Sequence, residues 1–323
     1  MRKFLFSILL ILFIKQAYTQ VITGCVLDEK DKTAICCATA YFNGTYVGAI
    51  ANEQGNFELD CSKNKLMPIT ISAIGYFSVT LYDYQFDEPL IIYLKPKIYQ
   101  LSETTIQAKS LKRKRKRYLK LFKEEFLGTT ENALLCTLLN EEDITFNYET
   151  DKDTIKVFAL NPIQVENKAL AYQVTYYLDK FEYYKQTQST YFEGNIQFKE
   201  RNIAAQDQHK IKEKRELCYL GSRMHFIRAL WLNRLQSNGF TVTTLNYQKL
   251  NEEDLVSQKG GRKFFNYKQD IYIYFDRKIS RIRFLFDRVY FDESGFFIAA
   301  GIHWKGAMGE QRIADWLPYE YQY

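Results

Sequence analysis

Between residues 21 and 107 the chain repeats one local pattern: a run of four to seven apolar or alternating residues, followed by a turn. The runs are 21–27, 38–42, 47–51, 56–59, 69–73, 77–81, 90–94 and 103–107. Runs this short are too brief for helices that bury a face, and their spacing of about 8 to 12 residues predicts the short strands of a β-sandwich. Asn43-Gly44 and Gln54-Gly55 supply residues that tolerate a positive φ at tight turns. The 25 Tyr and 24 Phe suit pleated, half-covered surfaces, so the whole chain is expected to be β-rich.

Ahead of this region, Arg2 and Lys3 precede an apolar run over 4–14, and a polar stretch ends in Ala17-Tyr18-Thr19. That anatomy predicts a signal peptide over 1–19, since a membrane span needs about 20 apolar residues. Val21-Ile22-Thr23-Gly24-Cys25 has the form of a lipobox, but Lys15 to Gln20 separate it from the apolar run. The same residues serve better as an opening strand, and a soluble or peripherally held protein is the default. Cys25, Cys36, Cys37, Cys61, Cys136 and Cys218 have irregular spacing, and buried thiols and bridges remain equally open.

Part of this pattern also carries a resemblance. Ile22-Thr23-Gly24-Cys25-Val26-Leu27-Asp28, Ala38-Thr39-Ala40-Tyr41, Gly48, Asn52-Glu53-Gln54-Gly55-Asn56-Phe57 and Ile71-Ser72-Ala73-Ile74-Gly75-Tyr76 follow one another in an order and spacing similar to the carboxypeptidase regulatory-like domain. The resemblance implies a transthyretin-like sandwich of seven or eight strands over 20–108, of the kind carried by outer-membrane receptors and other exported Gram-negative proteins. It implies no peptidase, because the domain is the accessory part of carboxypeptidases. The chain departs from that family at Cys36-Cys37, where the family has Pro-Gly. It is also too short to add the strands of a large outer-membrane barrel.

The net charge of +6 is concentrated: nine Lys or Arg and no acid fall within 109–123. Tyr118, Leu119, Leu121, Phe122 and Phe126 recur there at helical spacing, which predicts a basic linker helix over 109–126. Its cations, 112–117 above all, read first as a solvated face and second as a contact for anionic envelope lipid; a leader removes the chain from nucleic acid.

From 127 to 323 the pattern predicts an α+β domain with a mostly antiparallel sheet. Strands are expected at 144–148, 154–159, 163–166, 171–181, 190–198, 241–247, 271–275, 282–286, 288–292 and 296–302. A short helix is expected over 132–140, one long covering helix over 210–235, and an exposed loop over 249–268. The stretches 161–172, 219–230 and 312–318 resemble exported envelope proteins that pair this module with the same sandwich, a likeness that carries no activity with it.

Among candidate site residues, Gly221-Ser222-Arg223-x-His225-x-x-Arg228 is the densest grouping. Arg223, His225 and Arg228 could grip a phosphate or carboxylate, or the arginines could pair with sheet carboxylates. No G-x-S-x-G, phosphate loop, dinucleotide fingerprint or C-x-x-C is present, and His209, His225 and His303 stand apart, so no catalytic set, cofactor or metal site is expected. The leading expectation is therefore a non-catalytic protein of the periplasm or outer membrane. Its sandwich would dock onto an envelope partner while the second domain holds a peptide or glycan. The alternatives are a structural spacer and an exported hydrolase assembled from Glu166, Asp179, Arg223, His225 and Asp315.

Overall fold

The computed structural model describes residues 21–64, 66–85, 88–97, 108–149 and 152–323. The signal peptide expected over 1–19 and the strand expected over 103–107 lie outside them. Seven strands build the sandwich in two sheets. Val21–Asp28 lies between Asn56–Asp60, antiparallel to it, and Leu90–Leu94, parallel to it. Facing this sheet are Gly48–Ile50, Thr39–Phe42, Ile69–Ser72 and Val79–Leu81, all antiparallel. Alternation along Val21–Asp28 sends Ile22 and Val26 inward to meet Phe42, Ile69, Ile71, Ile92 and Leu94. At the turn where the resemblance fails, Cys37 takes a φ of +61°, doing with a side chain what glycine does without one.

Beyond residue 108 there are two hydrophobic cores. The first lies on a six-stranded antiparallel sheet whose path runs Cys136–Leu138, Ile163–Asn167, Tyr172–Tyr184, Thr154–Ala159, Ile144–Glu149, with Ser189–Glu200 also pairing Tyr172–Tyr184. The basic segment forms helix Ala108–Leu127, which lays Tyr118, Phe122 and Phe126 onto this sheet at four-residue intervals. Phe122 stacks on Phe126 at 5.0 Å, and the two rings meet Phe181 and Tyr176 edge-on at 4.9 and 5.0 Å. The second core fills the space around helix Arg223–Trp231, whose Phe226, Ile227 and Leu230 are buried. It draws on a five-stranded sheet (Lys249–Leu250, Phe240–Thr244, Ile271–Phe275, Lys278–Phe284, Ile302–Gly306) and a three-stranded one (Val256–Lys259, Arg262–Phe265, Val289–Phe291).

Four local expectations differ from this fold. The strand expected over 296–302 does not form: Phe297 makes a single bridge to Phe291, Ala299–Gly301 is a 3-10 turn, and the strand begins at Ile302. The helix expected over 210–235 is broken into Gln208–Tyr219 and Arg223–Trp231, the first reaching the first core and the second entering the second core. Gly221 makes the break: its φ is +74°, and a Cβ there would lie 2.6 Å from the Phe275 ring. Ser222 then caps the new helix by accepting the His225 N–H at 3.0 Å. The helix expected over 132–140 shrinks to Glu131–Leu134, after which Cys136–Leu138 joins the sheet. The loop expected over 249–268 is ordered structure, with Leu250, Leu255 and Phe265 buried and Gly260-Gly261 turning a hairpin.

The sandwich is fastened to the body. Tyr41 stacks on Tyr177 at 5.6 Å, and the Tyr177 hydroxyl donates to Thr39 Oγ1 at 3.3 Å. Lys97 forms an ion pair of 3.2 Å with Asp179. Gly44 donates its N–H to the Ile196 carbonyl and accepts the Tyr319 N–H, the Asn43 side chain accepts the Ile196 N–H, and Tyr290 and Phe296 of the body complete the sandwich core.

Candidate functional site

Arg223, His225 and Arg228 occupy adjacent turns of helix Arg223–Trp231, and each is engaged by the protein itself. Arg228 donates Nε to the Ser294 carbonyl at 2.9 Å, Nη1 to Tyr321 at 2.9 Å and Nη2 to Tyr319 at 3.0 Å. Arg223 donates Nε to the Met308 carbonyl at 2.8 Å and Nη2 to that of Gln311 at 3.1 Å, with its guanidinium near the Trp304 and Trp316 rings. Burial pushes Arg223 down to about 10, with Arg312 adding to the effect, so it stays protonated at neutral pH. The arginines thus meet main-chain carbonyls and not the sheet carboxylates expected of them. His225 accepts the Gly221 N–H at Nδ1 (3.2 Å), and Nε2 faces Asn238 Oδ1 at 3.2 Å, so the proton belongs on Nε2. Burial holds the imidazole below its ordinary value.

The scattered carboxylates have separate partners. Glu166 pairs with Arg201 at 2.7 Å and Lys168 at 3.4 Å. Asp179, raised by burial, faces Lys97, which burial lowers. Asp315 accepts from Thr130 Oγ1 at 3.0 Å and Asn132 Nδ2 at 2.9 Å, with Cys218 Sγ 3.9 Å away. Burial, helped by the Asp315 charge, raises the Cys136 and Cys218 thiols to about 12, so neither supplies a thiolate nucleophile at neutral pH. Among the described residues, no two of Glu166, Asp179, Arg223, His225 and Asp315 share a hydrogen bond or ion pair, and no group of three or more His, Cys, Asp or Glu is placed to hold a metal. His209 is exposed beside Glu213.

Exposed basic side chains cluster on helix Ala108–Leu127 and on the five-stranded sheet. On helix Ala108–Leu127, Lys112, Arg113, Lys114, Lys116 and Arg117 face solvent, whereas Arg115 turns inward to the carbonyls of Ile144 and Glu141. The carboxylates that pair with this helix, Glu124 and Glu141, meet Lys120 and Lys123 at its other half. The second surface is a shallow crevice lined by Arg281, Arg283, His303 and Lys305 on the five-stranded sheet. Strand alternation alone sets Arg281 with Arg283, and His303 with Lys305, on one face; the sequence does not reveal that Lys278–Phe284 and Ile302–Gly306 are neighbours. Among the described residues no helix is long and apolar enough to cross a membrane.

The family model described as CarboxypepD_reg-like domain matches residues 22–106, a range that includes all seven sandwich strands apart from Val21. No curated protein matches the chain.

Proposed function

We propose, taking residues 22–106 as a carboxypeptidase regulatory-like domain, that the chain is an exported, non-catalytic interaction protein of the cell envelope, held against an anionic surface by helix Ala108–Leu127. The observation that carries this reading is the division of that helix. Its apolar stripe is consumed by the core, yet its first half offers Lys112, Arg113, Lys114, Lys116 and Arg117 to solvent with no carboxylate partner among the described residues. The helix macrodipole is positive at that same end, and the first turn has no acidic residue to offset it. An anionic surface relieves that clustering, with about 1 kcal/mol per basic residue and hence about 5 kcal/mol for the five. The remainder of the reading draws on the leader and on the way the candidate catalytic groups are occupied by structural partners.

Sedimentation of residues 20–323 with vesicles tests it. The protein is expected to follow phosphatidylglycerol vesicles and to leave phosphatidylcholine vesicles in solution, with binding weakened by salt. Replacing Lys112, Lys114, Lys116 and Arg117 by Gln should abolish sedimentation without unfolding the helix, whose buried face is untouched. Equal binding to both lipids, or binding unaffected by the four substitutions, would sink the proposal.

A further inference from the structure

A separate surface, on different elements from the basic helix, has the makings of a small-ligand site. Across the outer face of the five-stranded sheet, Arg281 lies directly opposite Lys305 and Arg283 directly opposite His303. Like charges in direct cross-strand register, as Arg281 and Lys305 are, destabilise a sheet, so that pair costs the fold something. Among the described residues, the carboxylate that pairs with this cluster is Asp270, which accepts from Nε and Nη2 of both Arg281 and Arg283 and so fixes the two guanidiniums side by side. Lys305 has no carboxylate partner among the described residues. Three permanent cations facing one carboxylate leave two positive charges at the crevice. The Tyr272 ring, 5.9 Å from the Arg281 guanidinium, stands beside it on the next strand.

We propose that this crevice binds a dianionic phosphate group, as a phosphomonoester or as free phosphate. A planar carboxylate is satisfied by a single guanidinium fork. Here the donors come from four side chains on two strands, an arrangement suited to the several oxygens of a tetrahedral anion, and the charge left over matches a dianion. His303 supports the assignment: burial lowers its proton affinity first, and Lys305, Arg283 and Arg281 lower it further against the opposing pull of Asp270. A bound dianion reverses that balance, so it should recruit a proton to His303 and gain a fourth charged donor.

Calorimetric titration of inorganic phosphate and of sulfate into residues 20–323 at physiological ionic strength tests the site, alongside NMR titration of the His303 ring. Wild-type protein is expected to bind both anions. Arg283→Gln with Lys305→Gln should weaken binding by about tenfold or more, the loss expected for two charge-assisted hydrogen bonds, with an unchanged circular dichroism spectrum. Sulfate, dianionic throughout, should bind more tightly as pH falls, and phosphate should move the His303 midpoint upward. Absence of wild-type binding, equal binding by the double variant, or an unmoved His303 would each overturn the proposal. In the background of the four helix substitutions, retention on phosphatidic acid vesicles that depends on Arg283 and Lys305 identifies a lipid headgroup as the source. Binding of soluble phosphate without such retention identifies a small phosphorylated molecule.

Discussion

Arg228 is half-buried, and its guanidinium meets three carbonyls, those of Ser294, Tyr319 and Tyr321, in place of a carboxylate. Its charge is solvated by main chain, and three carbonyls that would otherwise lack donors are satisfied by the same group. His225 sits one turn away and titrates in consequence of its burial. The folded protein holds it below the ordinary 6.5, chiefly by burial, with Arg228 assisting and Asn238 opposing. The unfolded chain therefore takes up its proton at a higher pH than the folded one. His225 contributes fully above 6.5, and the contribution is lost as pH falls from there toward the folded value. Urea unfolding of His225→Gln should accordingly show a smaller loss of stability below pH 6.5 than wild type does; an identical pH profile would refute this. The sequence displays Arg223, His225 and Arg228 as a dense polar grouping, but the carbonyls bound by Arg228 lie 66 to 93 residues further along. Whether such a guanidinium meets a ligand or the main chain is decided by the fold, out of reach of local spacing.

Strands are the elements that the amino-acid pattern describes best. Thr154–Ala159, Ile271–Phe275 and Leu90–Leu94 fall on the expected residues, because a period of two in a half-covered sheet is written directly into side-chain polarity. Helix ends fare worse. Apolar spacing continues through Leu217, Leu220, Met224 and Ile227, so nothing in periodicity marks the break at Gly221-Ser222. What marks it is chemistry: a glycine free to take φ +74° followed by a serine able to cap. Ser222→Ala should cost about 1 kcal/mol through the lost cap, measured as a shift in urea midpoint at constant slope, and Ser222→Thr should recover most of it. A change within error in both variants would show that the cap contributes nothing. The hairpin at Gly260-Gly261 was hidden for a related reason. Paired glycines mark a turn, and the polar strands beside it lack the alternation that identifies a sheet.

At the scale of the molecule, the sandwich and the body meet through rings, an ion pair and main-chain bonds, which leaves little of a bead on a flexible thread. Gly44 is a close point of that contact. Its φ is +82°, and a Cβ there would lie 2.5 Å from the Tyr319 ring. Gly44→Ala should destabilise by about 2–4 kcal/mol, combining a left-handed backbone penalty with overpacking. Because the strain falls at the seam, calorimetry should resolve two transitions where wild type gives one. A single transition at the wild-type temperature would contradict the prediction. The pairing of the two halves was beyond the reach of sequence patterns, since Tyr41 and Tyr177 look like ordinary strand aromatics until the contact between them is seen.

The segment around Tyr319 has a further consequence. Tyr319 N–H bonds to Gly44, Glu320 accepts from Tyr46, and the Tyr319 and Tyr321 carbonyls are gripped by Arg228, so three consecutive residues stitch the sandwich to a helix in the second core. Part of the orientation of one half relative to the other is thereby held by a very short stretch of chain, beside the Tyr41–Tyr177 stack and the Lys97–Asp179 ion pair. Substitution within 319–321 would therefore loosen the seam and the cores beside it together, since the Tyr319 ring packs against both the sandwich core and the first body core, and Tyr321 against the latter.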